Sequence, residues 1–144
     1  MAIEFGNLVE LYQHSCTEYS SKKALGTKEN NEWNWVSFGE LKELIDNARG
    51  GLKQAGASKG DMIAIISDNR LEWAVCCYAT YGLGAAYVPM YEKQLPQDWK
   101  FILEDSGSKI CIAATQKIYE QLKELQPQIE TLDRIFCFEL PNEH

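Results

Sequence analysis

No stretch of this sequence is apolar for anything near the roughly 18 residues that a membrane-crossing helix requires. Basic residues are also scarce: 14 Lys and Arg stand against 21 Asp and Glu, giving a net charge of −7 and a pI near 4.8. Nucleic-acid binding depends on clustered cations facing phosphates, so no nucleic-acid partner is expected, and the acidity reads as solubility. There are two histidines, His14 and His144. His14 sits in a helical pattern far from any nucleophile signature, which excludes Ser/His/Asp chemistry. The five cysteines, at positions 16, 76, 77, 111 and 137, share no repeated spacing. Only His14 and Cys16 approach ligand spacing, and no second pair completes a set, so no metal site is expected. An odd number of thiols, three of them in apolar runs, points to reduced cysteines acting as small hydrophobes. The opening MAIEFGNLVELY has no basic segment followed by an apolar one, so no signal peptide is expected there. The expected location is the cytoplasm. Asp61, Asp68 and Asp105 do not make a phospho-accepting receiver domain, which needs an acidic pair after its first strand.

Repeats, low-complexity segments and linkers are missing too, and the 144 residues read as a single α/β domain. A chain of this length can bury roughly 68–70% of its unfolded surface. Its organising stretch is Lys59–Glu92 (KGDMIAIISDNRLEWAVCCYATYGLGAAYVPMYE). Met62–Ser67, with isoleucines at 63, 65 and 66, reads as a strand buried on both faces. Asp68–Asn69 breaks it, and Asn69 with Glu72 has capping-box spacing for a helix. That helix would bury Leu71, Ala74, Val75, Tyr78, Ala79 and Gly82. Gly82 and Gly84 end it, and Ala85–Pro89 begins a second strand, parallel to the first through a right-handed crossover.

Before this unit, Asn7–Ser20 reads as an amphipathic helix opened by Asn7 and Glu10, with Leu8, Leu11, Tyr12 and Cys16 on one face. Ala24–Thr27 and Trp33–Val36 flank an Asn30–Asn31 turn, the pattern of a hairpin. Trp33 and Trp35 then share a face, as a packed aromatic pair or, alternatively, a ligand platform. Ser37–Ala55 carries a second capping box, Ser37 to Glu40, and a stripe of Leu41, Leu44, Ile45, Ala48 and Leu52. Gly50–Gly51 inside it costs about 1 kcal/mol per glycine, which suggests close backbone packing or a helix break. After the central unit, Pro96 starts a helix burying Trp99, Ile102 and Leu103, and Gly107 ends it. Lys109–Ala114 is a strand. Thr115 caps a helix bearing Ile118, Leu122 and Leu125, which Pro127 stops, and Arg134–Phe138 is the last strand before PNEH.

Three segments resemble the adenylate-forming (AMP-binding) enzymes, most closely their long-chain acyl-CoA synthetase branch. Trp35–Leu41 (WVSFGEL) is similar to that family's first core motif. Gly60–Trp73 (GDMIAIISDNRLEW) resembles the branch's GD…N-R-x-E-W signature, and Tyr81–Tyr91 (YGLGAAYVPMY) the second core motif with its VP strand. The resemblance runs from about Leu8 to Phe138. It implies the N-terminal part of the large adenylate-forming domain: a helix and a hairpin, then a mostly parallel sheet of β-α-β units flanked by helices. It also implies a parent fatty acid–CoA ligase using ATP, Mg²⁺ and CoA on a fatty acid substrate, with the parent peripheral to membranes.

The family's chemistry rests on a Ser/Thr/Gly-rich loop ending in Pro-Lys-Gly and on later acidic, arginine and lysine residues. None of these motifs occurs in these 144 residues. Gly50–Gly51 and Gly82–Gly84 lack the hydroxyls and lysine that a phosphate cradle needs, and read as packing or helix ends. No catalytic residue is therefore assigned, and a catalytically incomplete fragment that binds no cofactor by itself is expected. Asn69, Arg70, Glu72 and Trp73 are candidate substrate-binding residues, because open α/β sheets bind ligands past the carboxyl ends of their strands. The competing explanation is structural: Asn69 and Glu72 cap the helix while Arg70 pairs with an acid. Lys93 lies in the loop after the VP strand, where some CoA-using relatives place a basic contact to the nucleotide phosphate of CoA. An ordinary exposed lysine is the plain alternative. The competing function is a non-catalytic module that binds a partner or self-associates through an exposed sheet edge.

Overall fold

The computed structural model describes residues 4–139; residues 1–3 and 140–144, the terminal PNEH with His144 among them, lie outside the described residues. α1 (Leu8–Glu18) is capped by Asn7, whose side chain accepts the Glu10 N–H at 3.0 Å. Its buried residues are Tyr12 and Cys16, with Val9 beside them, whereas Leu8 and Leu11 face solvent. The expected stripe is thus rotated, because the helix meets its neighbours along one narrow seam.

β1 (Lys23–Glu29) and β2 (Glu32–Ser37) form the antiparallel hairpin. Asn30 and Asn31 both take positive φ, 49° and 65°, as a two-residue turn matched to strand twist demands. β2 runs directly into α2 (Phe38–Gln54), which starts with the Ser37–Glu40 capping box. Leu41, Ile45 and Leu52 are buried on this helix, and Leu44 is exposed. The glycine pair behaves unlike either expectation. The helix continues through Gly50 and Gly51, and a Cβ added at either would meet nothing within 4 Å.

The second half alternates strand and helix: β3 (Met62–Ile66), α3 (Leu71–Gly82), β4 (Ala86–Met90), α4 (Pro96–Ser106), β5 (Ile110–Ala113), α5 (Gln116–Leu125) and β6 (Arg134–Cys137). Pro127 sits in a short 3₁₀ turn, Gln126–Gln128, which ends α5. The four strands make one parallel sheet in the order β4-β3-β5-β6, so the isoleucine-rich β3 is interior, as its two-sided apolarity requires.

Side-chain alternation splits the core in two. Ile63, Ile65, Ile110 and Ile112 point to the layer of α1, α2 and α3, where Tyr12, Ile45 and Val75 meet them. Ala64, Ile66, Cys111 and Ala113 point to α4 and α5, against Trp99, Leu103, Ile118 and Leu122. At the amino end of the sheet, Asp61 accepts from the Ser58 N–H at 2.8 Å and from Lys109 Nζ at 3.1 Å. These contacts overcome the upward push of partial burial and hold its carboxyl below the usual range. The other end of the sheet is left for loops.

Candidate functional site

β3 and β4 stop side by side, with Ile66 opposite Met90, and the chains leaving them diverge. One turns into α3 and the other runs through Tyr91–Leu95 toward α4. Between them opens a cleft of about 650 Å³, lined by Ser67, Asp68, Asn69, Trp73 and the run Pro89–Gln94. It lies past the carboxyl ends of adjacent parallel strands, the usual ligand position of an open α/β sheet.

Local hydrogen bonds set its walls. The Ser67 N–H donates to the Met90 carbonyl at 3.3 Å, and the Ser67 hydroxyl donates to the Asp68 carbonyl at 2.8 Å. Across the cleft, the Tyr91 N–H donates to Gln94 Oε1 at 3.0 Å, and the buried Trp99 indole donates to the Tyr91 carbonyl at 2.9 Å. The loop bearing Lys93 is therefore tied to α4 through its backbone. Tyr91 itself is 78% exposed, and Lys93 is exposed without an ion-pair partner among the described residues.

The five sequence candidates divide. Asn69, Trp73 and Lys93 line the cleft together, although Lys93 is 24 positions from Asn69 in the chain. Arg70 and Glu72 are elsewhere, on a groove between α3 and the hairpin. Arg70 donates through Nη1 to the Ala114 carbonyl at 3.3 Å, and its guanidinium carbon lies 5.8 Å from the Phe138 ring centre. It joins the ends of β3, β5 and β6. Its Nε is 3.2 Å from Glu72 Oε2, which is the expected pairing with a neighbouring acid. The Asn69–Glu72 capping box does not form: Arg70 occupies the N-cap and no side chain caps the helix. The cap fails because Glu72 is drawn to Arg70 and Asn69 faces the cleft.

Pro89, Tyr91 and Gln94 are cleft residues that sequence reading missed; the VP strand preceding Lys93 was their only signal. No group of three or more His, Cys, Asp or Glu among the described residues could hold a metal ion. Nor does the turn from Ser67 to Arg70 contain the glycines that let backbone N–H groups wrap a triphosphate. Lys93 is the one cation among the lining residues, beside Asp68 and Glu92, and these residues do not suit ATP with Mg²⁺. No helix among the described residues is long and apolar enough to cross a membrane.

Comparison with known proteins adds the wider frame. The sequence profile described as "AMP-binding enzyme" matches residues 12–143. The long-chain-fatty-acid–CoA ligase FadD15 of Mycobacterium bovis is 30% identical over 103 residues, 72% of this chain and 17% of that protein. The mouse long-chain-fatty-acid–CoA ligase ACSBG2 is 23% identical over 92% of this chain and 20% of its own length. This chain thus spans about a fifth of the curated relatives it matches. Among solved structures, the N-terminal domain of FACL13 from Mycobacterium tuberculosis superposes with a TM-score of 0.85 at 21% identity. That superposition covers 94% of this chain and 34% of the other. Coronafacic acid ligase from Pectobacterium brasiliense gives 0.84 at 26% identity, over 95% of this chain and 26% of its own. With the order of elements, the strand-end cleft and the profile match in agreement, this chain belongs to the AMP-binding enzyme family.

Proposed function

We propose that these residues are the N-terminal part of an ATP-dependent fatty acid–CoA ligase. The reaction of the whole enzyme is attack of a fatty carboxylate on the α-phosphate of ATP, giving acyl-adenylate and pyrophosphate, followed by displacement of AMP by the CoA thiol. The observation that carries this reading is the cleft at the ends of β3 and β4, where the two segments similar to acyl-CoA synthetases converge and bring Asn69, Trp73 and Lys93 together. The 30% identity to a long-chain ligase over most of the chain supports the fatty substrate. In this role the Trp73 carbonyl and indole, both held by Tyr87, stiffen one wall, and Lys93 offers a cation to the nucleotide phosphate of CoA. Everything else needed for adenylation comes from other parts of the enzyme. A ligase of this class acts on a substrate that partitions into bilayers, and peripheral membrane association of a cytoplasmic enzyme follows.

Two measurements test the reading. The intact mass of the native species carrying these peptides should lie far above 16.4 kDa. That species should release pyrophosphate from ATP only when fatty acid is added, while this chain alone should release none. Fatty-acid-dependent turnover by the chain alone would overturn the assignment of its missing chemistry to other segments.

A second reading, self-association of the chain as a non-catalytic module, is favoured by the two outer strands, β4 and β6, each with one side unpaired among the described residues. A concentration-independent monomer in gel filtration would rule it out.

A further inference from the structure

The β1–β2 hairpin has two chemically distinct faces. Residues opposite one another in an antiparallel pair share a face, and the register sets Trp33 against Lys28, Trp35 against Gly26 and Ser37 against Lys23. One face therefore displays Trp33, Trp35, Lys23 and Lys28, all exposed, with no carboxylate of the hairpin itself; Asp68 and Arg70, of opposite charge, line the groove beside Trp33 and Lys28. The hairpin's acids, Glu29 and Glu32, are paired with each other and fall on the opposite face, where Glu29 accepts from Asn34 at 3.0 Å. This separation occurs in a chain whose net charge is −7.

The two indoles form a plate. Their centres are 5.6 Å apart with an interplanar angle of 27°, and they remain 56% and 44% exposed. Lys23 Nζ sits 4.9 Å from the Trp35 ring centre. Beneath that ring lies Gly26, where an added Cβ would come within 2.9 Å of the indole carbons. Only glycine lets Trp35 lie flat against β1.

Tryptophan and lysine in this combination suit one environment. Indoles settle at the headgroup level of a bilayer, and lysine stems lie along apolar surface while their ammonium groups reach anionic headgroups. We propose that this hairpin face docks the protein onto an anionic lipid bilayer. This gives a contact surface to the peripheral membrane association proposed above, and it rests on that reading. Charge decides the occupant. A second copy docking through the same face would set lysines against lysines across a two-fold axis, whereas an anionic bilayer complements them.

The test is co-sedimentation of the chain with vesicles of phosphatidylcholine alone or mixed with phosphatidylglycerol. The unaltered chain should partition onto the mixed vesicles, and the double variant W33A/W35A should lose at least about ten-fold in partitioning. K23Q/K28Q should lose about five-fold per lysine on anionic vesicles and little on neutral ones. Phe101→Ala, which removes an exposed ring on α4, should change nothing. Failure of the unaltered chain to bind any vesicle overturns both this surface and the membrane reading for these residues. Binding that survives W33A/W35A, or that falls equally with F101A, overturns the hairpin surface and leaves peripheral association standing elsewhere. If the double variant does not fold, quenching of the unaltered chain's tryptophan emission by brominated lipids replaces it, and its absence overturns the proposal.

Discussion

The Tyr87 hydroxyl donates a hydrogen bond of 3.0 Å to the backbone carbonyl of Trp73, joining β4 to the first turn of α3. The two rings also meet edge to face, with centres 5.4 Å apart. One wall of the cleft is thereby fixed to the strand beside it. Burial pushes the Tyr87 phenol well above its usual range, so it remains a donor at any physiological pH. Tyr87→Phe keeps the ring contact and removes the bond. It should cost about 0.5–1.5 kcal/mol in urea unfolding and alter the Trp73 emission. An unchanged midpoint and spectrum would show that the bond holds nothing in place.

Lys93 is the cleft residue proposed to meet CoA, whereas Asn69 and Trp73 are candidates for the substrate. In the full-length enzyme, Lys93→Ala should raise the KM for CoA about ten-fold, equivalent to about 1.4 kcal/mol. Fatty-acid-dependent ATP–pyrophosphate exchange, which precedes CoA entry, should be unaffected. A matching loss in both half-reactions would place Lys93 in general folding and not in CoA binding.

Gly50 and Gly51 carry the cost of glycine in a helix without a packing return, since space is open at both. Gly50→Ala and Gly51→Ala should each stabilise the chain by about 0.5–1 kcal/mol. Thermal unfolding measures this directly, and destabilisation by either would reveal a close approach that the open space contradicts.

The hairpin turn requires a left-handed conformation twice, at Asn30 and Asn31. Asn31→Gly should be neutral or slightly stabilising, and Asn31→Ala should cost about 1 kcal/mol. Equal stability of the two variants would mean that the turn is not held in this form.

Four of the five cysteines are buried, and Cys137 is half-buried. Burial, with smaller contributions from Glu72 and Cys77, pushes the Cys76 thiol from 9.0 up to about 12; burial also raises Cys16, Cys77 and Cys111. An aromatic disulfide reagent at pH 8 should therefore modify Cys137 first and the others only on unfolding. The unfolded chain releases these protons from about pH 9 upward while the folded chain keeps them, so stability should fall as pH rises from 9 toward 12. A urea midpoint that is flat across this range would contradict the burial of these thiols.

The sequence alone determined what is local or periodic. Isoleucines at 63, 65 and 66 require an interior strand, paired asparagines require a tight turn, and the Ser37 and Thr115 caps start helices wherever the rest of the chain goes. Alternation and 3–4 spacing report which side of an element is apolar, so element types and the α/β class were legible. Tertiary structure decided which apolar side chains found a partner, and so left Leu8, Leu11 and Leu44 in solvent. It also decided the fate of Asn69, Arg70 and Glu72, where two equally local arrangements compete. Arg70 reaches Ala114, 44 residues away, and this long-range bond favours the ion pair over the cap. The cleft has the same origin, because Asn69 and Lys93 become neighbours only when β3 and β4 lie parallel in register. Spacing along a chain records geometry over one or two turns of helix; proximity across a sheet depends on strand order, which a single sequence does not encode locally.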